Sequence, residues 1–209
     1  MNLIIIKKSF LIVVFLLLIV VMLSLNLGSQ DISGQLLKSI QNKFQTINDL
    51  TVDVIQKSGG KEVLSGKLSY KKENRFHLDL KNNLIVSDGS TIWNFNKKEN
   101  KVIINNVDES DPSFFSFSRI IYDYPDHCYL TSEQNGEVLV LTPKENSDLN
   151  FSKAKLWISK DNLINKIILE GISAENIEVS FSNYKLNQNL EDLKFRFSPP
   201  EGSSIIDLR

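Results

Sequence analysis

Beyond residue 50 the sequence alternates between apolar and polar side chains, and this pattern constrains the fold more than any other feature. Period-two alternation is typical of strands with one buried face. Short links rich in turn-forming residues, such as Asp88-Gly89 and Asn135-Gly136, separate the runs. Together they predict an antiparallel meander that curls into an incomplete barrel. The predicted strands are 51–57, 62–71, 75–80, 83–88, 91–96, 101–105, 128–133, 137–142, 153–159, 163–170, 176–184 and a short final one at 194–197.

Two segments interrupt this pattern and are predicted to be helical. The first is an amphipathic helix near residue 31, which Asp31 or Ser33 could cap at its N-terminus. Its apolar stripe repeats at spacings of three and four residues and consists of Ile32, Leu36, Leu37, Ile40, Phe44 and Ile47. The second is the aromatic insertion 108–125, in which Asp111-Pro112 is a helix start and Pro125 a helix stop.

The first 28 residues are a targeting segment rather than part of the fold. Lys7 and Lys8 precede an unbroken apolar run, 10–23, which is typical of a secretory signal peptide. The run lacks an A-x-A cleavage pattern and its continuation is almost long enough to span a bilayer, so a retained N-terminal membrane anchor stays open. Either way residues 29–209 are expected to be exported as a single domain.

Composition excludes several functional classes. The chain has 24 basic and 25 acidic side chains among 209 residues, which argues against a nucleic-acid partner. One cysteine excludes a disulfide framework and a cysteine zinc site, and the two histidines, His77 and His127, stand far apart. We find no catalytic motif, because Ser87-Asp88-Gly89 is better explained as a turn. We therefore expect no enzyme, no metal and no cofactor.

Apolar side chains are abundant for a single thin sheet. Phe76 and Leu78 share a face of one strand, and Trp93 and Phe95 share a face of another. The insertion adds Phe114, Phe115 and Phe117. These residues could fill an ordinary core. Alternatively, sheet and helices could enclose an apolar cavity without convergent charges, which would suit acyl chains.

Two segments carry a resemblance to a known family. Residues 84–96 read LIVSDGSTIWNFN, and residues 195–202 read FRFSPPEG. The first stretch resembles the lvSDGktlW motif of the outer-membrane lipoprotein carrier family, LolA, and the second resembles that family's ending. Further features follow in the family's order over about residues 31–208, namely the first helix, a strand ending at Gln56, the segment 66–76, the sequence PSFF at 112–115 and LVLTP at 139–143.

The resemblance implies an incomplete barrel of about eleven strands, with helices forming a lid over an apolar cavity. It implies a monomeric periplasmic chaperone that holds the acyl chains of lipoproteins and carries them from the inner to the outer membrane. Its partners would be an inner-membrane lipoprotein-releasing ABC transporter and an outer-membrane receptor of similar fold. On this reading Phe76, Leu78, Trp93, Phe95, Phe114, Phe115 and Phe117 line the cavity.

One stretch departs from the family pattern. The family has a K-R-P-x-x-F segment whose arginine holds the lid closed, whereas residues 71–76 here read KKENRF. Lys72 therefore stands where that arginine would be, with the charge but without the planar fork. Lys72 and Arg75 are the candidates for lid closure, although alternation places Arg75 on the other face.

A membrane-tethered relative that binds other lipids or glycolipids, or senses envelope stress, is the alternative function.

Overall fold

The computed structural model describes residues 32–107, 118–172 and 174–209, and it shows a mainly β protein with a single open sheet. The strands are β1 (Asp49–Ser58), β2 (Lys61–Lys71), β3 (Arg75–Leu80), β4 (Asn83–Asp88), β5 (Thr91–Asn96), β6 (Lys101–Asn106), β7 (Cys128–Glu133), β8 (Val138–Pro143), β9 (Lys153–Ile158), β10 (Ile164–Glu170), β11 (Ile177–Leu186) and β12 (Ser204–Asp207). Their order across the sheet is β12-β6-β5-β4-β3-β2-β1-β11-β10-β9-β8-β7. All neighbours are antiparallel except β12 and β6.

The predicted incomplete barrel is confirmed, with twelve strands instead of about eleven. Eleven predicted strands lie within two residues of the observed bounds. The strand predicted at 194–197 is wrong, because a 3₁₀ turn spans Asp192–Phe195. This segment crosses the face of the sheet instead of joining an edge, so its backbone has no strand to pair with. The chain then turns at Gly202 (φ 74°) and adds β12 to the sheet edge.

The link after β4 is a turn, as predicted. The Asp88 carboxylate accepts hydrogen bonds from the backbone amides of Ser90 (2.9 Å) and Thr91 (2.8 Å). Gly89 has φ 98°, a conformation that favours glycine, and a β-carbon there would meet the backbone oxygen of Glu73. The Ser87 hydroxyl is fully buried and donates to the Asn74 carbonyl. These residues close a turn and form no nucleophile–base pair with a histidine.

One face of the sheet, which we call the inner face, is covered by helices. Cross-strand pairing aligns Val52, Leu68, Leu78 and Ile85 across β1 to β4. On the other half of the sheet Val179, Ile167, Leu156 and Leu139 are aligned in the same way. These side chains form one apolar cluster with Ile40, Ile120 and Ile121 of the helices and with Ile47, which lies in the link before β1. The core of the protein therefore lies between the sheet and its helices.

Two helical segments pack on the inner face. Helix α1 runs over residues 32–45, as the periodicity predicts. Ser33 lies within the described part of α1, and its buried hydroxyl donates to the Leu130 carbonyl of β7 (3.3 Å); Asp31, the other candidate cap, lies outside the described residues. The second segment, α2, consists of a π-helical turn, Arg119–Asp123, and an α-helical turn, Tyr124–Asp126. Pro125 lies inside α2 and does not stop it.

The opposite, outer face is crossed by the C-terminal segment, residues 187–203. The buried Asp49 carboxylate accepts hydrogen bonds from the backbone amides of Gln188 (2.8 Å) and Leu190 (3.3 Å). Asp192 then pairs with Lys71 of β2 and with Arg75 of β3. This segment closes the outer face over the first half of the sheet. Among the helices of the described residues, none is long and apolar enough to cross a membrane.

Candidate functional site

An apolar cavity of about 230 Å³ lies on the inner face, in the half of the sheet formed by β8, β9 and β10. It exceeds the roughly 150 Å³ of an apolar cavity that stays dry and accommodates benzene. Its lining residues are Ile120, Tyr124, Leu141, Asn150, Phe151, Ala154, Leu156, Ile167, Leu169 and Ile172. Ala154 is the smallest of them and leaves room between its larger neighbours. Asn150 is exposed, so the cavity meets solvent beside it.

Segment α2 forms the wall of this cavity that faces the sheet. Ile120 and Tyr124 line the cavity, and the Tyr124 ring packs on Phe151 with ring centroids 5.7 Å apart. The Arg119 guanidinium lies over the Tyr124 ring, 5.3 Å from its centroid, and its Nε is 3.8 Å from the Asp123 carboxylate. Beyond α2 the Lys144 ammonium donates to the Asp126 carbonyl (2.8 Å). Aromatic packing and charge contacts thus hold α2 in place.

A pair of reciprocal hydrogen bonds joins α1 to α2. The side-chain amide of Gln41 donates to the Ile121 carbonyl (3.1 Å), and the Tyr122 hydroxyl donates to the Gln41 carbonyl (3.2 Å). Burial raises the pKa of Tyr122, and a hydrogen bond with Gln45 acts in the opposite direction, so the hydroxyl keeps its proton as a donor. The Tyr122 ring also lies 6.3 Å from that of Phe44. We call this set of contacts the helix clasp.

Lys72 contacts the end of α1. Its ammonium donates to the carbonyl of Gln45 (3.1 Å), the last helical residue, and its backbone amide donates to the Asn48 carbonyl (3.1 Å). A cation is favourable at a helix C-terminus, where unpaired carbonyls carry partial negative charge. Lys72 therefore bonds to the C-terminal end of a covering helix.

Among the described residues, no hydrogen bond or ion pair joins Arg75 to either helix. Its guanidinium donates to Asp192 (2.9 Å) and Glu73 (3.1 Å) on the outer face, and its Nε donates to the Lys72 carbonyl (3.2 Å). The assignment of Arg75 to lid closure is therefore corrected, because a side chain one strand face away cannot reach α1. Arg75 instead holds the C-terminal segment against the sheet.

The predicted cavity residues separate into three groups. Phe76 and Leu78 lie on the inner face, where Leu78 is fully buried and Phe76 packs against the same cluster, but neither lines the cavity. They lie under the other half of the sheet, near Tyr70 and Phe44. Phe114, Phe115 and Phe117 fall outside the described residues.

Trp93 and Phe95 lie on the outer face, so their assignment to the cavity is also corrected. Leu78 pairs with Ile85, and Ile85 pairs with Asn94, which places Asn94 on the inner face and its neighbours Trp93 and Phe95 opposite. Both rings pack on Phe197 of the C-terminal segment, with centroids 6.4 Å and 5.7 Å away. They belong to a second, closed apolar layer.

Sequence reasoning missed the residues that line the cavity. The strands that carry Leu141, Ala154, Leu156, Ile167 and Leu169 alternate like the other strands of the chain. The one distinctive signal among them is Ala154, a small residue on a strand face that otherwise carries larger apolar side chains such as Leu156. Alternation identifies the buried face but carries no information on where packing is incomplete.

Titratable groups near the inner face favour no chemistry. Burial raises the pKa of the Cys128 thiol to about 11, so this cysteine is a buried apolar residue, as predicted. His77 lies on the outer face, where burial lowers its pKa. Within the ranges that the structure describes, no group of three or more His, Cys, Asp or Glu side chains could hold a metal ion.

The single open sheet, the helices on its inner face and the apolar cavity between them place this chain among proteins whose open sheet has one apolar face covered by helices. Residues 45–198 match the family model described as outer membrane lipoprotein carrier protein LolA, and the chain belongs to this family. It is 27% identical over 196 residues to the outer-membrane lipoprotein carrier protein of Pseudomonas putida, covering 88% of this chain and 90% of that one.

Other relatives are similarly distant. The carrier protein of Xanthomonas oryzae is 25% identical over 176 residues, covering 81% of this chain and 82% of that one. An uncharacterised protein of Methanocaldococcus jannaschii is 26% identical over 187 residues, covering 82% of this chain, which spans only 53% of that relative. A solved structure of an uncharacterised conserved protein from Thermus thermophilus matches with a TM-score of 0.54 and 13% identity, covering 83% of this chain and 98% of that one. That likeness shows the fold.

Proposed function

We propose that this protein is a periplasmic chaperone that binds the acyl chains of lipoproteins in the inner-face cavity and carries them from the inner to the outer membrane. The observation that carries the proposal is the apolar cavity between α2 and strands β8 to β10. Family membership supports the choice of lipoproteins as cargo. The protein acts by shielding chains from water and catalyses no reaction.

Burial of acyl chains supplies the binding energy. A 150 Å³ cavity that holds the six carbons of benzene implies about 25 Å³ per carbon, so the present cavity has room for about nine carbons. Each buried methylene contributes about 0.8 kcal/mol, giving about 7 kcal/mol for one such segment. Among the described residues, no charged side chain lines the cavity, which favours an apolar chain there.

The covering helices act as a lid. Helix α1 is bonded to Lys72, and α2 forms one wall of the cavity and is bonded to α1. Loading and release need a path for the chain, which displacement of a covering helix would open. Transfer would take place with an inner-membrane lipoprotein-releasing ABC transporter as donor and an outer-membrane receptor as acceptor.

Filling the cavity tests this function. Ala154→Phe places a ring in the cavity, and we expect the occupancy by acyl ligand to fall more than tenfold. Ser180→Phe is the matched control, because Ser180 lies half-buried on the outer face. Each protein is produced in a Gram-negative host and examined by native mass spectrometry with lipid extraction. Equal ligand occupancy in wild type and Ala154→Phe, or none in any of the three, would contradict the proposed site.

The membrane-tethered relative stays the second candidate, since the apolar run 10–23 lacks a clear cleavage pattern. A tethered protein cannot diffuse between two membranes, so it would bind lipids locally. N-terminal sequencing of the mature protein separates the two functions. A start near residue 29 supports the diffusing carrier, whereas an intact Lys7–Leu27 segment supports the tethered form.

A further inference from the structure

We propose that Asn150 is an acceptor for N-linked glycosylation, with an oligosaccharide as the group that it receives. Residues 148–152 read DLNFS, and Asn150 is the only asparagine of the sequence with serine or threonine two positions further on. The residue between them, Phe151, is not proline, which completes the acceptor pattern N-x-[ST]. The inference does not rest on the carrier function and needs only the export that the targeting segment predicts.

An acidic side chain stands two positions before the acceptor, at Asp148. Oligosaccharyltransferases of bacteria read the longer pattern D/E-x-N-x-S/T, because the carboxylate can pair with a basic group of the enzyme. A hydrogen bond between ionised groups is about twice as strong as one between neutral groups, so this carboxylate adds to recognition. The longer pattern is also more selective than N-x-[ST]. The sequence therefore fits the acceptor chemistry of a bacterial transferase.

The fold places the three recognised side chains on the solvent side of one link. Residues 144–152 connect β8 to β9, and Asp148, Asn150 and Ser152 in this link are exposed. The residues between them are less exposed and pack against the core. Successive side chains of an extended segment point to opposite sides, which explains this alternation. The folded protein therefore presents the acid, the amide and the hydroxyl together on its surface.

Few backbone contacts restrain this link. Among the described residues, no backbone hydrogen bond involves residues 148–151, and the first one beyond them is donated by the Ser152 amide to the Glu170 carbonyl (2.8 Å). Side-chain packing holds the link instead, because Phe151 is 6% exposed and its ring centroid lies 5.7 Å from that of Tyr124. A transferase can therefore bind the acceptor backbone without breaking a strand of the sheet.

Glycosyl transfer to this amide forms one bond and breaks one. The Nδ2 atom of Asn150 attacks the anomeric carbon of an oligosaccharide that is carried on a polyprenyl diphosphate. The C–N bond forms as the C–O bond to the diphosphate breaks, the amide gives up one proton, and the polyprenyl diphosphate leaves with the electron pair. In the described part of the chain, no hydrogen bond engages the side chains of Asn150 and Ser152, so both are available to the transferase. The attached sugar would stand in solvent beside the opening of the cavity.

The test expresses the full chain in a Gram-negative host that carries a bacterial oligosaccharyltransferase and its polyprenyl-diphosphate-linked oligosaccharide. Exported protein is recovered from the periplasm and the membranes and digested, and tandem mass spectrometry measures the glycan occupancy of the peptide that contains residue 150. The variants are Asn150→Gln, Ser152→Ala, Ser152→Thr and Asp148→Ala. Asn146→Gln is the matched control, because Asn146 is exposed in the same link but has an aspartate two positions further on.

We expect glycan occupancy to fall about tenfold or more in Asn150→Gln and Ser152→Ala, which lack the acceptor amide and the hydroxyl respectively. Asp148→Ala should lose occupancy as well, because the transferase reads the acid. Ser152→Thr and Asn146→Gln should match wild type, since both keep the full pattern. An unmodified wild type in cells that glycosylate a reporter acceptor protein, or unchanged occupancy in Asn150→Gln, would overturn the proposal. A chain that is not exported would overturn it too.

Discussion

The two faces of the sheet carry similar apolar side chains and differ in what covers them. The outer face beside β3 to β5 is covered by the chain's own C-terminal segment, whose Phe195 is almost fully buried and whose Phe197 packs on Trp93 and Phe95. The inner face beside β8 to β10 is covered by the short segment α2, which leaves a cavity of about 230 Å³. The outer face is filled at this point, whereas the inner face, which carries most of the core, keeps an unfilled space beside β8 to β10.

This difference separates aromatic content from the presence of a cavity. The rings of Trp93 and Phe95 are the more conspicuous feature of the sequence, yet they stabilise the fold. The cavity is lined mainly by aliphatic strand residues and by two rings, Tyr124 and Phe151, near its edge. The cavity is present because α2 covers this part of the inner face incompletely. The type of side chain that lines it matters less.

The largest expected effect is a loss of stability when Phe195, a buried residue of the apolar layer on the outer face, is truncated. Phe195→Ala should lower the free energy of unfolding by about 3–5 kcal/mol, because a buried ring is removed and a cavity is left. Acyl binding by the folded protein should be unchanged, since Phe195 lies across the sheet from the cavity. Chemical denaturation and fatty-acid titration measure the two quantities. A Phe195→Ala variant of normal stability, or one whose folded form binds no fatty acid, would contradict the claim that the outer face stabilises the fold and the inner face binds ligand.

The smallest expected effect concerns the ion pairs that hold the C-terminal segment. A hydrogen bond from Lys71, with the nearby Arg75, lowers the pKa of Asp192 below its usual 3.8. Its contribution to stability is therefore present above pH 3.8 and is lost as the pH falls through the lowered value. Asp192→Asn should be slightly less stable than wild type at neutral pH and equal to it in strong acid.

High salt provides the control for Asp192→Asn. Screening weakens exposed ion pairs, so the difference from wild type at neutral pH should shrink in 1 M salt. The measurement is the denaturation midpoint at both pH values and both salt concentrations. A difference that persists in acid and in salt would indicate that Asp192 acts through packing and not through charge.

Much of the fold could be predicted from the sequence, because alternation and turn residues are local signals. Eleven strands and helix α1 follow from them. Strand β12 could not be predicted, since Ser204–Asp207 is a four-residue run that joins β6 in parallel after a long path across the sheet. Residues 194–197 have an extended strand-like pattern, but pairing with β2 and β3 side chains holds their neighbour Asp192 on the outer face.

The cavity-lining residues were harder to predict, because alternation shows which residues of one strand share a face but does not relate the faces of different strands. Alternation shows that Leu78 and Trp93 each belong to a buried face, but the turn geometry between their strands decides whether the faces agree. The register from Leu78 through Ile85 to Asn94 places Trp93 opposite Leu78. Lys72 was indicated by its position in the family motif, and the structure shows that its ammonium donates to the Gln45 carbonyl at the end of α1.

Photocrosslinking with a fatty acid that carries a photoactivatable group at its apolar end tests the central claim most directly. The labelled peptides are identified by mass spectrometry after irradiation of the purified protein. We predict labels on the inner face, in β8 to β10 and α2, at residues such as Leu141, Leu156 and Ile120. Labels concentrated on Trp93, Phe95 and Phe197 of the outer face would contradict the account.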